Sequence, residues 1–189
     1  MHVLALAGSP RKAGNTDILA DQVLRGAQAA GATVEKVYLD DFRIRPIGDV
    51  EDNTRQRSDP RRDDDFPAVL TRFLRADIAV IATPVYWFGV SAQVKCFLDR
   101  LSSYFRHPEY ADRFTGKGYV ILCTFGRNEP DHGKCVCDPM RHCVEVLRGR
   151  YLGDLCVSAY RKGEVAQMPE AMQAAYELGK RIIHSMVQM

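Results

Sequence analysis

Ile78-Ala79-Val80-Ile81-Ala82-Thr83 is uninterruptedly apolar until Pro84. Six residues make a strand's length, and a run apolar on both faces predicts a central parallel strand covered by helices above and below. A chain with such a strand needs crossover connections, so the flanking sequence has to supply helices.

It does so repeatedly. Val3–Ala7 reads as a first strand, and the stripe Ile18, Leu19, Val23, Leu24 and Ala27 as a helix closed by Gly31. Thr33–Leu39 has β-branched strand character. Phe66, Val69, Leu70, Phe73 and Leu74 fall at i, i+3, i+4, i+7 and i+8, the spacing of one helical face. Val94, Phe97, Leu98 and Leu101 give a third helix, Gly118–Phe125 a second buried strand, and Met140, Cys143, Val144 and Leu147 a fourth helix. Leu155–Tyr160 reads as the fifth strand, and the stripe from Met172 to Met186 as a closing helix. Strand and helix signals alternating five times predict an α/β fold with a parallel sheet between two helical layers. At 189 residues the chain reads as one domain, 1–189.

Several classes drop out. The net charge is +2, and no basic patch interleaved with aromatics appears, so nucleic acid is not an expected partner. No apolar run is long enough to cross a membrane as a helix. The start, Met1-His2-Val3-Leu4, lacks the basic region of an export signal, so a cytoplasmic location is expected. Residues 49–65, charged and mixed in sign, read as a solvated surface loop.

In open α/β sheets ligands bind beyond the carboxyl ends of the strands. Three loops should meet there: Gly8–Thr16, Pro84–Ser91 and Thr124–Lys134. The first, Gly8-Ser9-Pro10-Arg11-Lys12-Ala13-Gly14-Asn15-Thr16, carries a strand into a helix beginning near Thr16. Unpartnered N–H groups and the positive end of the dipole suit an anion at such a helix start. Ser9, Asn15 and Thr16 add donors, and Arg11 and Lys12 add charge. The spacing fits neither a Walker loop nor a dinucleotide glycine motif. An ordinary strand-to-helix turn capped by Asn or Thr is the competing reading.

The second loop, Thr83-Pro84-Val85-Tyr86-Trp87-Phe88-Gly89-Val90-Ser91, places three consecutive aromatics at the mouth of the sheet. They suit a flat conjugated ligand, and equally suit a cap on the core or a subunit interface. Taken together, an anion cradle and a ring platform point to a mononucleotide. A flavin accounts for the missing hydrolysis motif.

On these residues the chain resembles the NADPH-dependent FMN reductase family of flavodoxin-like proteins. The similarity rests on Gly8–Lys12 with Gly14–Thr16, on Thr83–Trp87 with Gly89–Lys95, and on Phe97–Arg100. It is weaker over Tyr151–Gly153 and Ala175–Gly179. The resemblance implies a five-stranded flavodoxin-like sandwich with strand order 2-1-3-4-5 and FMN as cofactor. It implies that Ser9, Arg11, Asn15 and Thr16, beside Lys12, hold the phosphate. Pro84, Val85, Tyr86, Trp87, Phe88 and Gly89 would border the isoalloxazine, and Thr124, Phe125 and Gly126 would form the third loop. It further implies NAD(P)H as co-substrate, a small-molecule electron acceptor, and a homodimer or homotetramer. Asp99 and Arg100 would be structural or interfacial, and no catalytic acid or base is required. A flavodoxin-type electron carrier with a protein partner is the second expectation.

The chain departs from relatives that carry an iron–sulfur cluster. It has no cysteine in the segment from Ile44 to Asp65, so that cluster lacks its ligands there. Cys96, Cys123 and Cys156 read as small core residues. Cys135, Cys137 and Cys143 crowd the region after the fourth strand with His132 and His142. They read as loop and helix residues with Cys143 facing the core, the alternative being a metal or redox site.

Overall fold

The apolar run from Ile78 lies at the centre of the sheet. In a computed structural model, residues 1–47, 63–126 and 132–188 are described. The strands are β1 (His2–Ala7), β2 (Thr33–Tyr38), β3 (Ile78–Pro84), β4 (Gly118–Phe125) and β5 (Arg150–Ser158). All pairings are parallel and the order is β2-β1-β3-β4-β5. β1, β3 and β4 are buried along nearly their whole length, whereas β2 and β5, at the edges, are largely half-buried. Apolar continuity in the sequence therefore tracks position in the sheet.

Helices α1 (Asn15–Ala29) and α6 (Pro169–Val187) cover one face. They approach so closely that a Cβ on Gly26 would lie 2.0 Å from the Tyr176 carbonyl oxygen, and one on Gly179 the same distance from that of Val23. The pair of glycines sets this spacing. On the other face lie α2 (Phe66–Arg75), α3 (Ala92–Arg100), the single turn α4 (Ala111–Phe114) and α5 (Lys134–Val146).

Three expectations shift. β5 begins at Arg150 and ends at Ser158, where Leu155–Tyr160 was expected. Its first residues lie at an edge, interrupted by a bulge opposite Tyr119 and Val120, so no apolar run marks them. α5 begins at Lys134 and contains Pro139, so Cys135 and Cys137 are helical. Residues 49–62 of the charged segment lie outside the described residues; of its end, Asp63 and Asp65 are exposed as expected, but Asp64 is not. Asp64 is buried against Arg100, Oδ2 to NH1 2.5 Å, and accepts the N–H groups of Arg45 and Phe66 at 3.0 and 3.1 Å. The Arg100 guanidinium also lies 4.6 Å from the Phe66 ring centroid. Arg100 is thus structural, while Asp99 pairs with Lys95 one helical turn away.

Candidate FMN site

The carboxyl ends of β1, β3, β4 and β5 open into one cleft. Its lining includes Ser9, Arg11, Asn15, Thr16, Pro84, Val85, Tyr86, Thr124, Phe125 and Gly126, and it encloses about 690 Å³ including its open mouth. Backbone bonds stitch the loops together: Gly8 N–H donates to Ala82 O at 2.8 Å, Val85 N–H to Thr124 O at 2.8 Å, and Ala159 N–H to Phe125 O at 2.9 Å. Ser91 adds the side-chain tie. Its hydroxyl donates to Gly8 O at 2.6 Å, its N–H donates to Thr83 Oγ1 at 2.9 Å, and its Oγ caps α3.

One end of the cleft is built for an anion. Gly14 is the N-cap of α1 and brings no side chain to satisfy the helix's first N–H groups. Ser9 Oγ accepts the Arg11 N–H at 3.1 Å, which leaves the hydroxyl hydrogen to donate. Thr16 is buried in the first turn of α1, and the basic side chains on the lining are Arg11 and Lys162. Among the described residues the lining holds no carboxylate. Asp17, the acid in the first turn of α1, is turned away and occupied by Ala13 N–H, Lys36 and Tyr38 at 2.6, 2.7 and 3.1 Å. The opposite end is apolar and flat-walled: Pro84, Val85, Tyr86 and Phe125.

Not every expected residue comes to the cleft. Lys12 points elsewhere: its ammonium pairs with Asp41 at 2.7 Å, a bond that pushes its pKa up, and it is absent from the lining. Asn15 lines the cleft but is spent on structure. Its Nδ2 donates to the carbonyls of Ala159 and Arg161 at 3.1 and 2.9 Å, and its Oδ1 accepts the Val165 N–H at 3.2 Å. It staples the segment after β5 against the first loop, which brings Ala159, Tyr160 and Lys162 onto the lining. This fourth loop was not anticipated; the fold rule that places ligands at strand ends applies to β5 as much as to β4.

Trp87, Phe88 and Gly89 lie outside the cleft wall. Tyr86 and Gly89 exchange both backbone bonds at 3.0 Å, which closes a two-residue hairpin with Trp87 and Phe88 at its tip. Both tip residues have positive φ, 50° and 61°, as in a type I′ turn. Such turns favour Asn-Gly; two bulky aromatics there are strained, at about 1–3 kcal/mol each. Trp87 is 97% exposed. Phe88 meets the His132 ring at 5.6 Å, and His132 meets Phe125 at 5.9 Å. The tip therefore overhangs the apolar end of the cleft's rim through His132.

The cysteines are also rearranged. Cys143 is half-buried beside a surface groove, Cys96 is half-buried, and Cys135 donates to His132 O at 2.7 Å. Cys135, Cys137 and Cys143 do not converge. Cys137 instead joins Cys123 and Cys156.

A cleft with a donor-rich, cationic end and an apolar flat end fits the phosphate and ring of FMN. Known proteins agree. The family model of NADPH-dependent FMN reductase matches residues 1–164. YwqN of Bacillus subtilis (strain 168), provisionally named an NAD(P)H-dependent FMN-containing oxidoreductase, is 29% identical over 96% of this chain and 98% of its own. An iron–sulfur flavoprotein of Archaeoglobus fulgidus is 30% identical over 68% of this chain and 58% of its own length. The solved NAD(P)H:quinone oxidoreductase from Methanothermobacter marburgensis shares the fold with a TM-score of 0.76, at 17% identity over 96% of both chains. The chain belongs to the NADPH-dependent FMN reductase family and is an FMN-dependent NAD(P)H oxidoreductase.

Proposed function

We propose that residues 1–189 act as a single FMN-binding domain that passes electrons from NAD(P)H to a small-molecule acceptor, a quinone or a flavin. The observation that carries this reading is the two-ended cleft, cationic at Arg11 and Lys162 and apolar at Pro84, Val85, Tyr86 and Phe125. When bound, FMN supplies the hydride chemistry.

The chain's part is to bind, orient and tune. Ser9, Thr16, Arg11 and the N-terminus of α1 hold the phosphate. Pro84, Val85, Tyr86, Thr124, Phe125 and Gly126 would border the ring. Backbone N–H groups of the Thr124–Gly126 loop would stabilise the negative charge that reduction adds to the ring. No side chain is assigned a proton to move.

The exposed tip of Trp87 and Phe88 leaves one ring face open to a nicotinamide and then an acceptor. It also supports a homodimer or homotetramer. Trp87 is 97% and Phe88 64% exposed, and an apolar groove lined by Val90, Leu98, Phe105 and Met140 runs alongside. Large apolar exposure of this kind marks an interface. Six free cysteines suit a reducing, cytoplasmic setting, and no helix among the described residues is long and apolar enough to cross a membrane.

The test is the absorption spectrum of the purified protein loaded with FMN, taken before and after anaerobic NADPH. Bleaching by NADPH, followed by recovery with a quinone, supports the reading. A flavin that binds but is never reduced by NADPH or NADH would leave an electron carrier in its place.

A further inference from the structure

Three sulfurs meet beneath the third loop of the cleft. Cys123 and Cys156 are register partners on the adjacent parallel strands β4 and β5, so their side chains leave the sheet on the same face. Cys137 comes down onto them from the first turn of α5. Cys156 Sγ is the hub, 3.0 Å from Cys123 Sγ and 3.2 Å from Cys137 Sγ, and all three sulfurs lie within 4.8 Å of one another. The helix start closes over them: a Cβ on Gly133 would sit 2.6 Å from Cys156 Sγ. Three thiols packed merely as small apolar groups have no reason to converge on one point.

We propose that Cys123, Cys137 and Cys156 form a three-thiolate site for one soft d10 cation, with monovalent copper the best match. The spacing suits a single ion. Metal–sulfur bonds of about 2.3 Å in a planar trigonal site put the sulfurs about 4.0 Å apart, so the two close pairs open by about 1 Å on loading. No fourth His, Cys, Asp or Glu joins the group among the described residues. Structural zinc requires four ligands, whereas soft thiolates select Cu(I).

Cys123 donates its S–H to Cys156. The first turn of α5 brings the positive end of its dipole, which favours thiolate. Loading releases to solvent one proton from each thiol that binds as thiolate. Asp154, two residues before Cys156, is held by Arg141 at 3.0 Å and Tyr151 at 2.7 Å.

The test uses the reduced, full-length protein, titrated anaerobically with Cu(I) buffered by a chromogenic chelator. The wild type, Cys135→Ala and Cys143→Ala should each withdraw one copper per chain. Cys156→Ala should weaken uptake by more than about 100-fold, beyond the cost of losing an outer-shell partner. FMN titration of the same variant shows that it is folded and keeps this test separate from the flavin reading. X-ray absorption should count three sulfurs in the wild type and two in Cys137→Ser. A wild type that takes no copper from the chelator would overturn the proposal. So would Cys156→Ala loading like the wild type, or a Cys137→Ser centre that keeps three sulfurs.

Discussion

Ser91 Oγ donates to the Gly8 carbonyl oxygen at 2.6 Å, joining the loop that follows β1 to the loop that follows β3. The same oxygen caps α3 by accepting the Val94 N–H at 3.4 Å. One buried hydroxyl thus fixes the anion end of the cleft relative to its ring end. Ser91→Ala should lower stability by about 1–2 kcal/mol, from the lost cap and the carbonyl left without its donor. FMN affinity should fall as well, because the loops lose their common register. Urea unfolding and flavin-fluorescence quenching measure the two effects.

Trp87 and Phe88 hold φ values of 50° and 61° at the hairpin tip. Replacing the pair with Asn-Gly should raise stability by about 1–2 kcal/mol, since that dipeptide adopts the turn without strain. The variant should bind FMN with little change, yet lose self-association and acceptor turnover. Thermal unfolding, sedimentation and steady-state kinetics check the three outcomes.

Asp64 is buried with Arg100 and two backbone N–H groups. Burial alone would raise its pKa, but the Arg100 bond and the two backbone bonds outweigh it, and the carboxyl is held below the ordinary 3.8. A depressed carboxyl contributes its stability above the unfolded value and loses it as pH falls through the folded one. The wild type's advantage over Asp64→Asn should therefore be constant above about pH 4 and shrink below it. Asp64→Ala, which removes the carboxylate facing the buried Arg100 guanidinium, should cost about 3–5 kcal/mol in urea unfolding.

Lys117 is buried with its ammonium on the carbonyls of Phe73 and Ala76 at the end of α2. Burial lowers its pKa from 10.5 to about 8. Between those values the unfolded chain binds more protons than the folded one, so stability rises with pH across that window. Relative to Lys117→Met, the wild type should gain about 3 kcal/mol between pH 8 and pH 10.5. Thermal melts of both proteins across that range test the slope.

Sequence pattern announced what burial dictates. Gly118–Phe125 was legible to the residue because β4 is covered on both faces, and the α2 stripe was legible because Phe66, Val69, Leu70 and Phe73 all point into one core. β5 was misplaced because an edge strand with a bulge carries polar residues. Pro139 hid the first turn of α5, since proline inside a helix reads as a boundary. At the site, residue types identified the anion end, but direction was invisible: nothing in Asn15 or Lys12 says that the first ties down the Ala159–Val165 segment and the second reaches Asp41. Lys162 and the sulfur cluster depend on β5 lying beside β4, a contact between residues far apart in the chain.

The proposed phosphate seat lies between Ser9, Arg11, Thr16 and the start of α1. Titration with FMN and with riboflavin, which lacks only the phosphate, measures it most directly. Wild-type protein should prefer FMN by at least about 100-fold, equivalent to ~2.7 kcal/mol, and Arg11→Ala should erode that preference while leaving riboflavin affinity in place. Equal affinity for the two flavins, or an Arg11→Ala variant that keeps the full preference, would contradict it.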